Sequence, residues 1–255
     1  MNVEMSARQR PQRAPPVARP KRAMILAAGL GERMRPLTVT TPKALIEVGG
    51  RALIDHGLDA LERAGVEATI VNVHYLADQV RSHLARRHRP AVIISDEGAR
   101  LLDSGGGIVK ALPELGAEPF YLLNSDTFWI EGARPNLDWL AAGWRDNAMD
   151  GLLLVAATVR AVGYHGRGDF RMDPNGRLTR RAERDVAPFA YAGAAILHPR
   201  LFAGAPADAF SLNLLFDKAM EEARLFGVRL DGLWLHIGSP EAIGEAEVTI
   251  ADSAA

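Results

Sequence analysis

The run Leu26-Ala27-Ala28-Gly29-Leu30-Gly31-Glu32-Arg33-Met34-Arg35-Pro36-Leu37-Thr38, with Thr41-Pro42-Lys43 just beyond it, concentrates groups that bind phosphate. The apolar stretch from Ala23 to Ala28 stops at Gly29 and reads as a buried strand. Glycines directly after such a strand let backbone N–H groups approach phosphate oxygens closely. Arg33 can fork two phosphate oxygens and Lys43 adds a point charge, so together they suit a triphosphate. Two other glycine loops are excluded. A dinucleotide-binding turn needs a third glycine where this chain has Met34, and a P-loop needs Gly-Lys-Ser or Gly-Lys-Thr, which does not occur. A tight turn with solvated arginines also uses glycines, but it does not call for two arginines, two prolines and a lysine in one stretch.

Asp126 is the second candidate. It closes Asn124-Ser125-Asp126, directly after the apolar run Phe120 to Leu123. An aspartate there can hold a divalent cation, or it can cap the next helix or close a turn. The elements that must position these groups alternate. Strands are expected at 23–28, 68–73, 91–95, 120–123 and 151–157. Helices are expected from Leu53 to Leu61 with Gly65 past the end, over 76–88, after a glycine-rich bend at Ser104-Gly105-Gly106-Gly107, and over 136–145. This βαβαβ rhythm predicts an α/β, Rossmann-like fold: a mostly parallel, doubly wound sheet flanked by helices. Ligands of such sheets bind beyond the carboxyl ends of the strands, where the 29–42 loop and Asp126 both fall. The second half has short strand-like pieces at Phe170-Arg171-Met172, Leu178 and Phe189-Ala190-Tyr191, which predict a small antiparallel addition. A helix through Leu212, Leu215, Phe216, Ala219 and Met220, a strand at 233–237 and a terminal helix from Pro240 complete the chain.

Composition removes several function classes. A formal net charge of −1 gives no global field for nucleic acid. The absence of cysteine removes disulfides, thiolate nucleophiles and Cys-type zinc sites, and permits the cytoplasmic location expected here. No stretch approaches the roughly 18 apolar residues of a membrane span. Residues 1–21 read as a disordered, basic, proline-rich tail with no secretory apolar run, ahead of one catalytic domain over 22–250. Within residues 1–22, six basic residues face only Glu4.

Gly29-x-Gly31-x-Arg33-Met34-x-Pro36-Leu37-Thr38 followed by Thr41-Pro42-Lys43 resembles the sugar-1-phosphate nucleotidyltransferases, and the likeness continues through Ser104 to Gly107, Asn124 to Asp126 and Tyr191-Ala192-Gly193. It implies a GT-A-like fold and the joining of a nucleoside triphosphate to a sugar 1-phosphate with release of pyrophosphate. It places Leu26, Ala28, Gly29, Gly31, Glu32, Arg33, Lys43 and Gly106 on the nucleotide, with Arg33, Lys43 and Asp126 as the catalytic set. It also implies Mg²⁺ on Asp126, and small-molecule partners with neither nucleic acid nor membrane. The oligomeric state stays open.

The resemblance has one departure. Where the family carries a second metal-binding aspartate in Trp-x-Asp-x-Gly-Thr, this chain reads Trp234-Leu235-His236-Ile237-Gly238-Ser239. Three readings stay open: His236 ligates the metal and favours Mn²⁺, it binds phosphate or sugar directly, or it is a structural histidine in a weak or inactive enzyme. Tyr164-His165-Gly166-Arg167-Gly168-Asp169-Phe170, with Leu197-His198-Pro199, resembles the bacterial N-acetylmuramate-1-phosphate uridylyltransferase branch of cell-wall (peptidoglycan) recycling. That branch implies UTP as the nucleotide and Asn124, Asp169 and Trp234 on the sugar side. A mannose-1-phosphate guanylyltransferase, a non-catalytic sensor of the same fold and a glycosyltransferase using a finished nucleotide sugar are the alternatives.

Overall fold

In the computed structural model, residues 19–254 are described. The expected tail lies outside them as far as residue 18. Arg19 to Lys21 lie inside and are packed onto the body. Pro20 is buried, Arg19 pairs with Asp138 at 2.9 Å, and the Lys21 carbonyl accepts the Glu67 amide.

The first half alternates as its hydrophobic runs require. It comprises β1 (Arg22–Leu26), the ribbon β2 (Glu47–Val48) and β3 (Arg51–Ala52), α1 (Leu53–Arg63), β4 (Ala68–Val73), α2 (Ala77–Leu84), β5 (Ala91–Asp96), α3 (Asp103–Leu115) and β6 (Phe120–Asn124). Then come β7 (Thr127–Glu131), α4 (Asn136–Gly143), β8 (Gly151–Ala157), β9 (Phe170–Met172), β10 (Leu178–Arg180), β11 (Phe189–Leu197), α5 (Asn213–Glu221), β12 (Leu225–Arg229), β13 (Gly232–His236) and α6 (Pro240–Ala254).

Nine strands form the main sheet, in the order β10-β9-β11-β6-β1-β4-β5, with β8 and β12 continuing from β11. β6, β1, β4 and β5 run parallel, and β11 runs antiparallel to β6. Alternation along β1 fixes the two faces. Ala23 and Ile25 pack with Leu58, Leu61 and Leu140 of α1 and α4. Met24 points the other way, onto Ile108 and Ala111 of α3 and Leu215 of α5. Both β1 faces are buried, so its carboxyl end opens directly into a cleft. A third cluster joins Met34 of the glycine loop to Phe128 of β7, Leu235 of β13, Ile237 and Ala246 of α6.

The antiparallel addition is present, in two forms. β9 and β10 pair with each other and extend the main sheet, while β7 and β13 form a separate two-stranded ribbon. Neither β7 nor β12 is anticipated by the hydrophobic pattern. Because β7 starts at Thr127, Asp126 sits in a tight turn between strands of two different sheets, with no helix for it to cap. The expected glycine-rich bend is instead the first part of α3. Gly105 and Gly106 are buried because the 208–210 segment packs directly on the helix, a Cβ on Gly105 falling against the Phe210 ring, and Gly107 is buried against Glu97 and Asn72. α2 ends at Leu84, four residues short of the expected helix.

Candidate functional site

A cleft of about 560 Å³ opens where β1 and β6 end, lined by the 29–34 loop, Leu26, Ala27, Lys43, Leu101, Asn124, Ser125 and Asp126. Local packing sets the loop's shape. Gly31 has φ +64, and a Cβ there would lie 2.8 Å from Thr38 Cγ2 and 3.1 Å from Lys43 Cβ, so only glycine lets the turn close. Thr38, buried, donates from Oγ1 to the Gly31 carbonyl at 2.8 Å. The Tyr75 hydroxyl reaches the Thr38 and Val39 carbonyls, and Gln79 donates to the Thr40 carbonyl at 3.0 Å. The loop is latched from the β4–α2 turn and from α2 rather than hanging free.

Opposite the loop, Lys43 Nζ donates to Asp126 Oδ2 at 2.6 Å, with both side chains mostly buried. Burial pushes the Asp126 carboxyl up, but Lys43, His236 and Arg33 together outweigh it and hold its pKa below the ordinary carboxylate value. The ribbon brings His236 alongside. His236 faces Thr127 in the β7–β13 register, and the Ile237 amide donates to the Asp126 carbonyl at 2.9 Å. Burial lowers the His236 pKa, against the pull of Asp126 and a contact to the Gly163 carbonyl, so its imidazole is neutral near pH 7. The site thus presents an ionised carboxylate, a neutral imidazole and two cations beside a loop of backbone amides. That is a place to bind and polarise a polyphosphate.

Comparison with known proteins places this arrangement. Residues 23–209 match the model of the MobA-like NTP transferase domain. The chain belongs to that family. This nucleotidyltransferase is 44% identical to the N-acetylmuramate alpha-1-phosphate uridylyltransferase of Caulobacter vibrioides, over 92% of this chain and 98% of that protein. It is 28% identical to the catalytic subunit beta of mannose-1-phosphate guanylyltransferase from Drosophila melanogaster, over 89% of this chain and 62% of that protein. In structure it is similar to UDP-glucose pyrophosphorylase complexed with UDP-glucose, with a TM-score of 0.74, 16% identity, 91% of this chain and 99% of that one. At that identity the likeness speaks for the fold, which is the GT-A-like nucleotidyltransferase fold.

Within this nucleotidyltransferase, the residues expected on the nucleotide divide. Leu26, Gly29, Gly31, Glu32, Arg33 and Lys43 line the cleft. Ala28 is buried beside it. Gly106 is buried against the 208–210 segment, its amide directed at the Phe210 carbonyl, and Leu101 is the residue of that region on the cleft wall. Of the expected sugar residues, Asn124 lines the cleft. Asp169 accepts the Tyr191 amide at 2.9 Å, which fixes its carboxylate on β11. Trp234 is 3% exposed, and its indole N–H donates to Thr127 Oγ1. Among the described residues no set of three His, Asp or Glu side chains gathers as a metal cluster.

Sequence reasoning missed Tyr75 and the pair Asn72 and Glu97. Asn72 accepts the Ala27 amide on Oδ1 at 2.8 Å and donates to Glu97 Oε1 at 2.7 Å, and the Leu102 amide donates to Glu97 Oε2 at 2.7 Å. A polar residue inside the apolar run from Ile70 to Val73 was the available signal, since buried polar groups need partners.

Proposed function

We propose that this nucleotidyltransferase transfers a uridylyl group from UTP to N-acetylmuramate 1-phosphate, giving the nucleotide sugar and pyrophosphate. The observation that carries the reading is the Lys43–Asp126 pair across the cleft from the 29–34 loop, in a chain so similar along its length to a muramate uridylyltransferase. A phosphate monoester has a second pKa of about 6, so the sugar phosphate is already a nucleophile at pH 7 and needs no general base. Its oxygen attacks the α-phosphorus as the bond to the pyrophosphate oxygen breaks, and the protein's task is alignment and charge balance. The backbone amides of the loop, Arg33 and Lys43 hold the triphosphate. Asn124 and Asp169 belong to the sugar side, with Trp234 holding Thr127, the neighbour of Asp126.

Asp126, kept ionised, and His236, kept neutral, are both in the protonation state a metal ligand needs, so the donor set fits a divalent cation completed by substrate phosphates. When bound, Mg²⁺, or Mn²⁺ given the imidazole, would neutralise phosphate charge. A product of this kind serves peptidoglycan recycling in the cytoplasm. The test is pyrophosphate release across four nucleoside triphosphates and the 1-phosphates of N-acetylmuramate, N-acetylglucosamine, mannose and glucose, each with Mg²⁺ and Mn²⁺. UTP with N-acetylmuramate 1-phosphate should exceed every other pair. A maximum with GTP and mannose 1-phosphate would replace the substrate assignment. Release of nucleoside diphosphate, or no turnover with any pair, would overturn the activity.

A further inference from the structure

Two walls of the cleft come from separate parts of the chain: the end of β1 at Leu26 with the loop to Met34, and Leu101 after β5. Between them runs one continuous chain of hydrogen bonds, two of them buried and the last partly so. The Ala27 N–H donates to Asn72, the Asn72 amide donates to Glu97, and the Leu102 N–H donates to the other Glu97 oxygen. Asn72 is 3% exposed and Glu97 6%. No cation pairs with Glu97 among the described residues, so its carboxylate is satisfied by these two donors. α3 rests directly on the bridge. A Cβ on Gly107 would lie 2.7 Å from Glu97 Oε1 and 2.9 Å from Asn72 Nδ2, which is why the last glycine of Ser104 to Gly107 has no side chain.

We propose that Asn72 and Glu97 are positioning residues for the nucleotide: their bridge sets the distance between the triphosphate loop and the Leu101 wall, and so the affinity for the nucleoside triphosphate. Neither side chain lines the cleft, so they act through the backbone of Ala27 and Leu102. The inference rests on the proposed transferase reading and adds a determinant of nucleotide binding to it.

The direction of the hydrogen bonds supplies the test. Glu97→Gln keeps the shape but places an amide donor against either Asn72 Nδ2 or the Leu102 N–H, so one bond is lost. Asn72→Asp keeps the bond from Ala27 but sets a carboxylate against the Glu97 carboxylate. The double variant Asn72→Asp with Glu97→Gln reverses the middle bond and restores all three. The new carboxylate accepts from Ala27 and from the introduced amide, whose oxygen accepts from Leu102. Each single variant should raise KM for the nucleotide about tenfold or more, equivalent to about 1.4 kcal/mol. KM for the sugar phosphate should change far less, and the double should return close to wild type.

Singles with unchanged nucleotide KM, or a folded double no better than the singles, would overturn the proposal. Should the singles fail to fold, the double decides alone: wild-type KM sustains the bridge and a raised KM overturns it. All values are read with whichever triphosphate and sugar phosphate the wild-type protein turns over best. A substrate other than UTP would therefore overturn the base assignment while leaving the bridge to be judged on its own.

Discussion

The two sides proposed for the site, one for the triphosphate and one for the sugar, are built differently. On the first, the binding surface is backbone: the 29–34 loop, closed by Gly31 and Thr38, latched by Tyr75 and tied through Ala27 to Asn72, offers its amides in a fixed shape. Its charged groups, Arg33 and Lys43, point into the cleft. On the second side, the polar groups hold the frame. Asp169 ties the 168–170 turn to β11, and Trp234 ties β13 to β7. Substitutions on the first side should therefore cost activity above all, and those on the second should cost activity and stability alike.

The largest effect should come from Lys43→Ala. It removes the cation that pairs with the mostly buried Asp126 and that is proposed to face the phosphates, so kcat/KM should fall by about 10²–10³, and the carboxylate left without its partner should lower the thermal midpoint as well. A loss below tenfold would show that Lys43 serves Asp126 only as a structural counter-ion. Asp169→Ala comes next. It leaves the Tyr191 amide without its partner, which should cost about 1–3 kcal/mol in urea unfolding. It should also raise KM for the sugar phosphate well above any change for the triphosphate. Equal changes in both KM values would remove Asp169 from the sugar side. Trp234→Phe keeps a ring but deletes the donor to Thr127, so stability should fall by about 1 kcal/mol. If kcat/KM falls with no loss of stability, the indole touches substrate and the contrast between the two sides fails at that residue.

The same contrast explains what the sequence could reveal. β1, the loop and Lys43 form a nearly contiguous stretch, so strand, turn and charges were legible together as local chemistry. The parallel sheet was legible from its apolar runs. β7 was not, because Thr127 follows Asp126 directly and no turn residues separate the two strands beyond the pair that makes the turn. The glycines of 104–107 read as a bend because glycine disfavours helix interiors, and only the packing of Phe210 and the Asn72–Glu97 bridge against α3 shows why a helix needs them. The bridge itself spans 45 residues from Ala27 to Asn72 and 25 from Asn72 to Glu97. It exists only once β1, β4 and β5 lie side by side. Asp169 and Trp234 were nameable as polar groups, but their hydrogen-bond partners on β11 and β7 are set by tertiary register.

His236 belongs to both sides, since β13 carries it from the sugar side to Asp126, and its substitution should have the smallest effect. Its folded pKa lies below the unfolded value of 6.5, so the unfolded chain binds more protons over that interval. The neutral imidazole therefore adds stability above pH 6.5, and that contribution is lost as pH falls through the folded value. His236→Asp removes this acid-side loss and sets a second carboxylate beside Asp126. Two adjacent carboxylates repel, so the metal-free variant should melt lower than wild type, and Mg²⁺ should raise its melting temperature more than it raises that of wild type. Mg²⁺-dependent turnover should be kept or increased, because oxygen suits Mg²⁺ better than imidazole nitrogen does. A variant that folds, shows no Mg²⁺-dependent rise in melting temperature and loses all turnover would mean that position 236 faces the sugar or phosphate, and that Asp126 meets the metal alone.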